Sequence, residues 1–384
     1  MHKLLHKPSP GRWHTLARQL KKFTGRTALA GGLAMAGFLA SPEARAQAVA
    51  NYGFAASSGT YTPVSTSATA VTSILADDAI SGAIPLGFTF NYAGVDYTTV
   101  YASSNGFISF NPSASSTNTN QPQTASTSSR PLLAPLWDDL EGDATVGSAA
   151  HYETTGAAGS RVFTFQWKNW LWNYSATVPS ISFQVKLYEA NGKIEFVYNQ
   201  ESGTVSSGSA SIAITAAATG AGNYLNLSDA TASATAGSAT AVTNIAARPA
   251  TGQVYTFTKP ATNISAVAIA EPLTTGCYSA TQTVKVRVRN LGTAPIDFSV
   301  TPLTVTGAVT GTNPTTFPNA TVNTGILAPN ATQDVVLSSN YNMTAGGTYT
   351  FTASATVPGD ASAADDALAA TSFTVLPTAT LPVT

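Results

Sequence analysis

The chain has 384 residues, of which 43% are hydrophobic and only 10% are charged, and its formal net charge is −1 at pH 7. Residues 1–46 hold eight of the 18 Lys and Arg but only one of the 19 acids, so the rest of the chain carries a net charge of −8. This balance argues against a nucleic-acid partner or an anionic membrane surface, because both bind basic protein surfaces.

The N-terminal segment has the pattern of a secretory signal peptide. Residues 1–26 contain seven basic residues and no acid, an apolar run follows over residues 27–40, and Ala44-Arg45-Ala46 offers a small-residue cleavage site. The apolar run of 14 residues is shorter than the ~20 residues of a membrane-spanning helix. We therefore predict a signal peptide over residues 1–46, a secreted chain and no integral membrane segment after it. Cleavage after Ala48 and an uncleaved signal anchor are the alternatives.

Residues 181–199 contain the clearest element of the chain. Apolar and polar side chains alternate on both sides of Asn191-Gly192, and strict alternation indicates strands with one buried face. Asn-Gly favours the two-residue turn of a hairpin. If these two residues form the loop, Leu187 lies opposite Phe196 on the core side. This pattern predicts an antiparallel β architecture.

Similar short alternating runs, bounded by Gly, Pro, Asn and Asp, recur from residue 48 to residue 377. Their spacing predicts an all-β fold with two β-sandwich domains. We predict a jelly-roll-like module over residues 48–259, an immunoglobulin-like module over residues 263–377 and a C-terminal tail over residues 378–384. In the second module, Thr283–Arg289 is the clearest strand.

Three aromatic residues, Trp170, Trp172 and Tyr174, are the candidate ligand-binding side chains. They share parity with the polar face of a strand that contains Trp167 on its core face, provided that the strand continues unbroken. Exposed aromatics in a row would form a platform for stacking a sugar or docking a protein. The alternative is a bulge near Asn169, which would turn them into the structure.

Four acidic residues follow Trp137 and are the candidate metal ligands: Asp138, Asp139, Glu141 and Asp143. Such a loop supplies carboxylate oxygens of the kind that Ca²⁺ prefers, and Asp77-Asp78 could approach from another loop. Asp360, Asp365 and Asp366 form a similar group in the second module. The alternative is a solvated turn in which Asp138 or Asp139 accepts backbone hydrogen bonds. Apart from calcium, we expect no cofactor.

The sequence contains few of the residues that common catalytic mechanisms need. His151 is the only histidine after residue 46, whereas Ser-His-Asp and Cys-His mechanisms need an imidazole beside the nucleophile. We expect the single cysteine, Cys277, to be a small buried side chain. A pair of carboxylates for glycoside hydrolysis would need a defined separation that the sequence does not indicate. We expect a protein that is not an enzyme.

The first module resembles a secreted β-sandwich module of Bacteroidetes surface proteins. The resemblance rests on residues 76–110, 130–140, 159–170 and 182–198, which include a Ser-Asn-Gly-Phe turn and an Ala-Pro-Leu-Trp-Asp-Asp block. This block also gives a distant similarity to the nidogen-type extracellular domain. The second module resembles immunoglobulin-like units of the CARDB type, through residues 284–296.

The resemblance implies a cell-surface or extracellular interaction role and brings no catalytic residues with it. We therefore expect a secreted or cell-surface binding or adhesion protein whose partner is an extracellular protein or a glycan. The alternative is a carbohydrate-binding accessory module of a larger extracellular degradative protein. Glycan binding through Trp170 and Trp172 would distinguish the second from the first.

Overall fold

The computed structural model describes residues 49–124, 128–205, 207–273 and 278–376. The predicted signal peptide over residues 1–46, Cys277 and the tail over residues 378–384 lie outside these ranges. The described chain consists of antiparallel strands and three single-turn 3-10 helices, at Val49–Asn51, Thr72–Ile74 and Ala144–Val146. The predicted all-β fold is confirmed. Among the described residues, no helix has the length and apolarity that a membrane crossing requires.

The first fourteen strands form two seven-stranded sheets. Their bounds are β1 Gly53–Ser58, β2 Thr69–Ala70, β3 Ile84–Tyr92, β4 Val95–Ala102, β5 Ile108–Ser109, β6 Leu132–Trp137, β7 Ala149–Thr155, β8 Val162–Trp170, β9 Ile181–Tyr188, β10 Ile194–Gln200, β11 Ser211–Thr215, β12 Tyr224–Leu227, β13 Ala236–Gly237 and β14 Gln253–Thr258. One sheet has the order β1-β14-β10-β9-β8-β7-β2 and the other β13-β12-β11-β6-β5-β4-β3. Apolar side chains from both sheets share one core, as expected of a sandwich.

The remaining strands form a second sandwich with a separate core. Their bounds are β15 Ile264–Glu271, β16 Gln282–Asn290, β17 Ile296–Asp297, β18 Leu303–Gly311, β19 Thr315–Thr316, β20 Ala320–Val322, β21 Ile326–Leu327, β22 Thr332–Tyr341, β23 Gly347–Thr356 and β24 Thr371–Val375. The larger sheets have the orders β15-β16-β22 and β19-β18-β23-β24. Val284, Val286 and Val288 of β16 enter the core as the alternation predicts.

The hairpin of β9 and β10 forms, but its predicted register is wrong. Leu187 lies opposite Ile194, not Phe196. Only Gly192 of the Asn191-Gly192 pair has a positive φ, so the type I′ turn is not made. Instead the loop takes four residues, closed by the Tyr188 amide donating to the Lys193 carbonyl. The shift is two residues, and an even shift keeps every side chain on its predicted face.

The polar face of this sheet is also covered, which the alternation does not predict. Gln166 and Gln184 are buried, and the Gln184 amide donates to the Gln166 Oε1 atom over 2.9 Å. The Tyr61 hydroxyl and the Val64 amide donate to the same oxygen. A segment before β2 therefore lies over the outer face of β8 and β9 and hydrogen-bonds to the Gln166 Oε1 and Gln184 Nε2 atoms.

The two sandwiches meet around Lys259. Its Nζ atom is buried and donates to the Asn91 Oδ1 atom over 2.6 Å. Beside it, the Arg289 guanidinium reaches across to the Asp96 carboxylate at 3.0 Å, and Asn91 donates to that same carboxylate. Backbone amides of residues 291–294 donate to carbonyls of residues 260–263. The connection between the modules is thus a hydrogen-bonded segment.

Candidate functional site

The predicted aromatic platform is broken by a bulge. Asn169 has a positive φ of 54°, and the pairing of β8 with β9 changes register between Trp167 and Trp170. Trp170 and Trp172 consequently turn into the interior, with exposed fractions of 0% and 2%, whereas Tyr174 is 54% exposed. Of the two alternatives, the bulge near Asn169 is the one that forms, and a row of three exposed aromatics does not. Of the three, only Tyr174 is placed to meet a ligand.

The buried indoles support the Ser-Asn-Gly-Phe turn. Trp167 donates to the Ser103 carbonyl at 2.9 Å and Trp170 to the Ser104 carbonyl at 2.8 Å. Gly106 has a φ of 76°, and a Cβ atom there would lie 1.9 Å from the Leu136 carbonyl oxygen. The turn therefore needs glycine, both for its backbone conformation and for its close approach to β6.

Asp138 is part of the scaffold of the loop between β6 and β7, residues 138–148, which we call the acidic loop. Its carboxylate is buried and accepts hydrogen bonds from the Trp172 indole at 2.7 Å, the Ser209 amide at 2.7 Å and the Ser209 hydroxyl at 2.8 Å. Asp143 has a similar local role, because it accepts from both the amide and the hydroxyl of Thr145 and caps the short helix there. Asp138 accepts a backbone hydrogen bond, as the turn alternative supposed, but it is buried and not solvated. Asp143, which that alternative did not name, also holds the loop.

Three other carboxylates converge at the surface. One oxygen from each of Asp77, Asp78 and Asp139 lies within 4.8 Å of the others, and we refer to these residues as the acidic cluster. The buried Asn105 fixes its geometry, since its Nδ2 atom donates to Asp78 at 2.7 Å while its Oδ1 atom accepts from the Leu140 amide at 3.0 Å. The sequence signal for this role was the Ser-Asn-Gly-Phe turn, but Asn105 itself was not predicted.

The electrostatics of the acidic cluster favour a cation. Partial burial, and then the charges of Asp77, Asp78 and Asp138, raise the pKa of Asp139, although a hydrogen bond from Asn118 opposes them. Burial followed by repulsion from Asp78 raises the pKa of Asp77, and Glu141 is affected in the same way by Asp77. Carboxylates that repel one another lose that repulsion when a cation lies between them. Three oxygen ligands are a partial set for Ca²⁺.

A second exposed loop lies next to the acidic loop. Glu141 and Leu171 exchange both backbone hydrogen bonds, at 3.2 and 3.0 Å, and so join the loop after β6 to the loop after β8. The second loop carries Tyr174 and Val178, two exposed large side chains. The loop that carries Tyr174 and Val178 is therefore joined directly to the loop that carries Asp139 and Glu141.

Residues 51–260 match the family model described as NIDO related. The chain belongs to the NIDO-related family. The match takes in β1 to β14, and with them the acidic cluster and the Tyr174 loop. The comparison with curated proteins found no significant match to the chain. The NIDO-related match confirms the predicted nidogen-like resemblance of the first sandwich and indicates a domain typical of extracellular proteins. The Bacteroidetes origin and the CARDB assignment of the second sandwich stay predictions.

Proposed function

We propose that this protein is secreted and binds an extracellular protein partner through the loops of its NIDO-related module. The observation that carries the proposal is the NIDO-related match over residues 51–260, because such domains are typical of extracellular proteins. The signal-peptide pattern in residues 1–46 and the net charge of −8 after it agree with an extracellular chain that does not bind nucleic acid. The second sandwich acts as a spacer or a second contact.

The end of the module with Tyr174 is the surface that we assign to this contact. Tyr174 and Val178 offer apolar area, and Tyr side chains are enriched in protein interfaces. One member of the acidic cluster, Asp139, lies on the adjoining loop, and the negative charge of the cluster favours a partner with a basic patch. Burial of Trp170 and Trp172 removes two of the three rings that a carbohydrate-binding surface would use.

The proposal includes no catalytic step. His151 lies on β7, where it is paired with Gln166 of β8 and Ala70 of β2. It is therefore a strand residue with partners on both sides in the sheet. Assays for glycoside and ester hydrolysis on the secreted chain test this part of the proposal, and turnover that is lost in Asp139→Asn would contradict it.

Binding of residues 47–384 to a panel of immobilised extracellular-matrix proteins and to a glycan array tests the proposed contact. We expect binding to a protein on the panel, and loss of that binding in Tyr174→Ala and in the double variant Asp77→Asn, Asp139→Asn. Val300→Ser is the matched control, because Val300 is 76% exposed but lies on the second sandwich. Binding confined to glycans, or binding lost only in Val300→Ser, would contradict the assignment.

A further inference from the structure

Four buried side-chain oxygens have no hydrogen-bond donor where the chain enters the second sandwich. They are Asn263 Oδ1, Ser362 Oγ, Asp365 Oδ1 and Asp366 Oδ1. Asn263 and Asp365 are fully buried, and Ser362 and Asp366 are 1% and 8% exposed. Three of the side chains form one group, because the Asn263 Nδ2 atom donates to Asp365 Oδ2 over 2.9 Å and the Ser362 hydroxyl is close enough to act on the same carboxyl as a hydrogen-bonding group. Asp366 follows Asp365 in the chain, and the charge of Asp365 acts on its carboxyl. We call these four residues the junction site.

The backbone holds the junction site in place. Asp360 accepts from the Ile264 amide and the Ser362 amide, both at 2.9 Å, so its two oxygens join the segment before Asp365 to the start of β15. Farther along, the Ser265 hydroxyl donates to the Asp365 carbonyl and the Ala266 amide to the Asp366 carbonyl. None of these contacts supplies a donor to the four unpaired oxygens, Asn263 Oδ1, Ser362 Oγ, Asp365 Oδ1 and Asp366 Oδ1.

Two adjacent buried carboxyls without a countercharge are unfavourable as anions. No ion pair from a described lysine or arginine reaches Asp365 or Asp366. Asp365 and Asp366 are neighbours in the chain and both are buried, and burial disfavours the charged form of a carboxyl that has no opposite charge beside it. Native proteins satisfy almost all buried polar atoms, so four orphaned oxygens in one place call for a missing partner.

We propose that Asn263, Ser362, Asp365 and Asp366 bind a calcium ion at the entrance to the second sandwich. Two carboxylates, one amide oxygen and one hydroxyl are the hard oxygen ligands that Ca²⁺ takes, and the flexible geometry of Ca²⁺ tolerates such a mixed set. The two negative charges balance the divalent cation. Asp360 is a positioning residue, since its oxygens are engaged with the backbone.

The ion links the connecting segment to the sandwich. Asn263 holds this segment in place through its carbonyl, which accepts from the Leu291 and Gly292 amides, while its side chain belongs to the junction site. A bound ion therefore stabilises the segment that joins the two modules. The junction site is distinct from the acidic cluster, whose residues all belong to the first sandwich.

Titration calorimetry and thermal unfolding of residues 47–384, first stripped with chelator, test the site. We expect calcium to bind with a dissociation constant near the ~10⁻⁴–10⁻³ M of extracellular modules and to raise the unfolding temperature. In the double variant Asp365→Asn, Asp366→Asn, made in the background of Asp77→Asn, Asp139→Asn so that the acidic cluster does not contribute, the calcium response should vanish. Because neutral amides remove the buried repulsion, the unfolding temperature of this variant in chelator should equal or exceed that of the Asp77→Asn, Asp139→Asn background.

Two further variants keep the test decisive. Ser362→Ala removes one ligand and little volume, and we expect calcium affinity to fall about tenfold or more. The double variant Asp77→Asn, Asp139→Asn should keep the calcium response of the second sandwich. The inference is overturned if calcium leaves the unfolding temperature unchanged. In that case protons, and not a calcium ion, neutralise the carboxyls of Asp365 and Asp366. It is equally overturned if the response survives when Asp365→Asn and Asp366→Asn are added to the Asp77→Asn, Asp139→Asn variant.

Discussion

The indole nitrogen of Trp172 donates a 2.7 Å hydrogen bond to the Oδ2 atom of Asp138, and both residues are buried. From the sequence, Trp172 is a candidate sugar-stacking residue and Asp138 a candidate calcium ligand. In the structure each is the other's partner. The pair joins the loop after β8 to the loop after β6. Ser209, from a third segment, donates two further hydrogen bonds to the same carboxylate.

Trp172→Phe should destabilise the first sandwich by about 2 kcal/mol, because it removes a hydrogen bond to a buried carboxylate and leaves space where the larger ring was. Urea unfolding measures the loss. Tyr174→Leu is the control on the same loop, and its effect should stay within about 0.5 kcal/mol because Tyr174 is exposed. Equal stability of the two variants would contradict the scaffold role of Trp172.

Gly106→Ala should prevent folding or lower stability by more than about 4 kcal/mol, because the new methyl group would overlap the Leu136 carbonyl oxygen. Gly159→Ala provides a matched comparison. Gly159 has a similar φ of 87° but no atom within 4 Å of the added Cβ. Its replacement should cost about 1 kcal/mol of backbone strain alone. The measurements are the yield of folded protein and the unfolding temperature, and similar losses in both variants would exclude the steric explanation.

Arg130 is a buried cation that binds four backbone carbonyls. Its guanidinium donates to Ala216, Pro122, Ala218 and Asn223 at 2.5–2.9 Å, and burial lowers the pKa of Arg130 to about 10, so the charge persists at neutral pH. Arg130→Met should destabilise by about 3 kcal/mol or more, because several buried acceptors lose their donor.

Arg161→Met is the control for that substitution. Arg161 pairs with Glu189 near the surface, where water replaces a lost partner, so we expect a much smaller change in urea unfolding. A loss of stability in Arg161→Met as large as in Arg130→Met would show that the buried carbonyl contacts are not what Arg130 contributes.

Lys259 should make stability depend on pH. Burial and then the charge of Arg289 lower the pKa of Lys259 from 10.5 to about 7, while Asp96 opposes them. Between these values the unfolded chain binds a proton that the folded chain does not. Stability should therefore be greatest above pH 10.5 and fall by up to about 1.4 kcal/mol per pH unit as the pH decreases to about 7.

Lys259→Met should abolish this slope in urea unfolding measured from about pH 7 to pH 10. The advantage of the variant over the unmodified chain should be greatest near pH 7 and shrink as the pH rises. Lys168→Met, at an exposed lysine, should keep the slope of the unmodified chain. A slope that survives in Lys259→Met would assign the pH dependence to another group.

The alternation of side chains predicts strands and their faces well. Val284, Val286 and Val288 enter the core as their parity predicts, and Leu187 stays on the core face even though its partner differs from the expected one. Parity is a local property of the extended chain, whereas register depends on the loop conformation. A single positive φ at Asn169 sufficed to reverse the face of Trp170.

The site residues could not be predicted as a group, because their neighbours come from distant parts of the chain. Asp138 is 71 residues from Ser209, and Asn263 is 102 residues from Asp365. Acidic residues can be proposed as metal ligands from the sequence, because a carboxylate can bind a cation whatever its position in the chain. Ser209 and Asn263 could not be predicted, because they acquire their roles only when the strands bring them beside a carboxylate.

The first and last strands of the NIDO-related module lie side by side. β1 and β14 run antiparallel, β1 lies at the edge of the sheet, and Gly53 at the start of one faces Thr258 at the end of the other. A force that pulls the chain before Gly53 away from the chain after Thr258 would therefore break the hydrogen bonds between β1 and β14 one pair at a time. Under such tension, the edge strand β1 would separate from β14 first, while the other strands of the sheet stay paired.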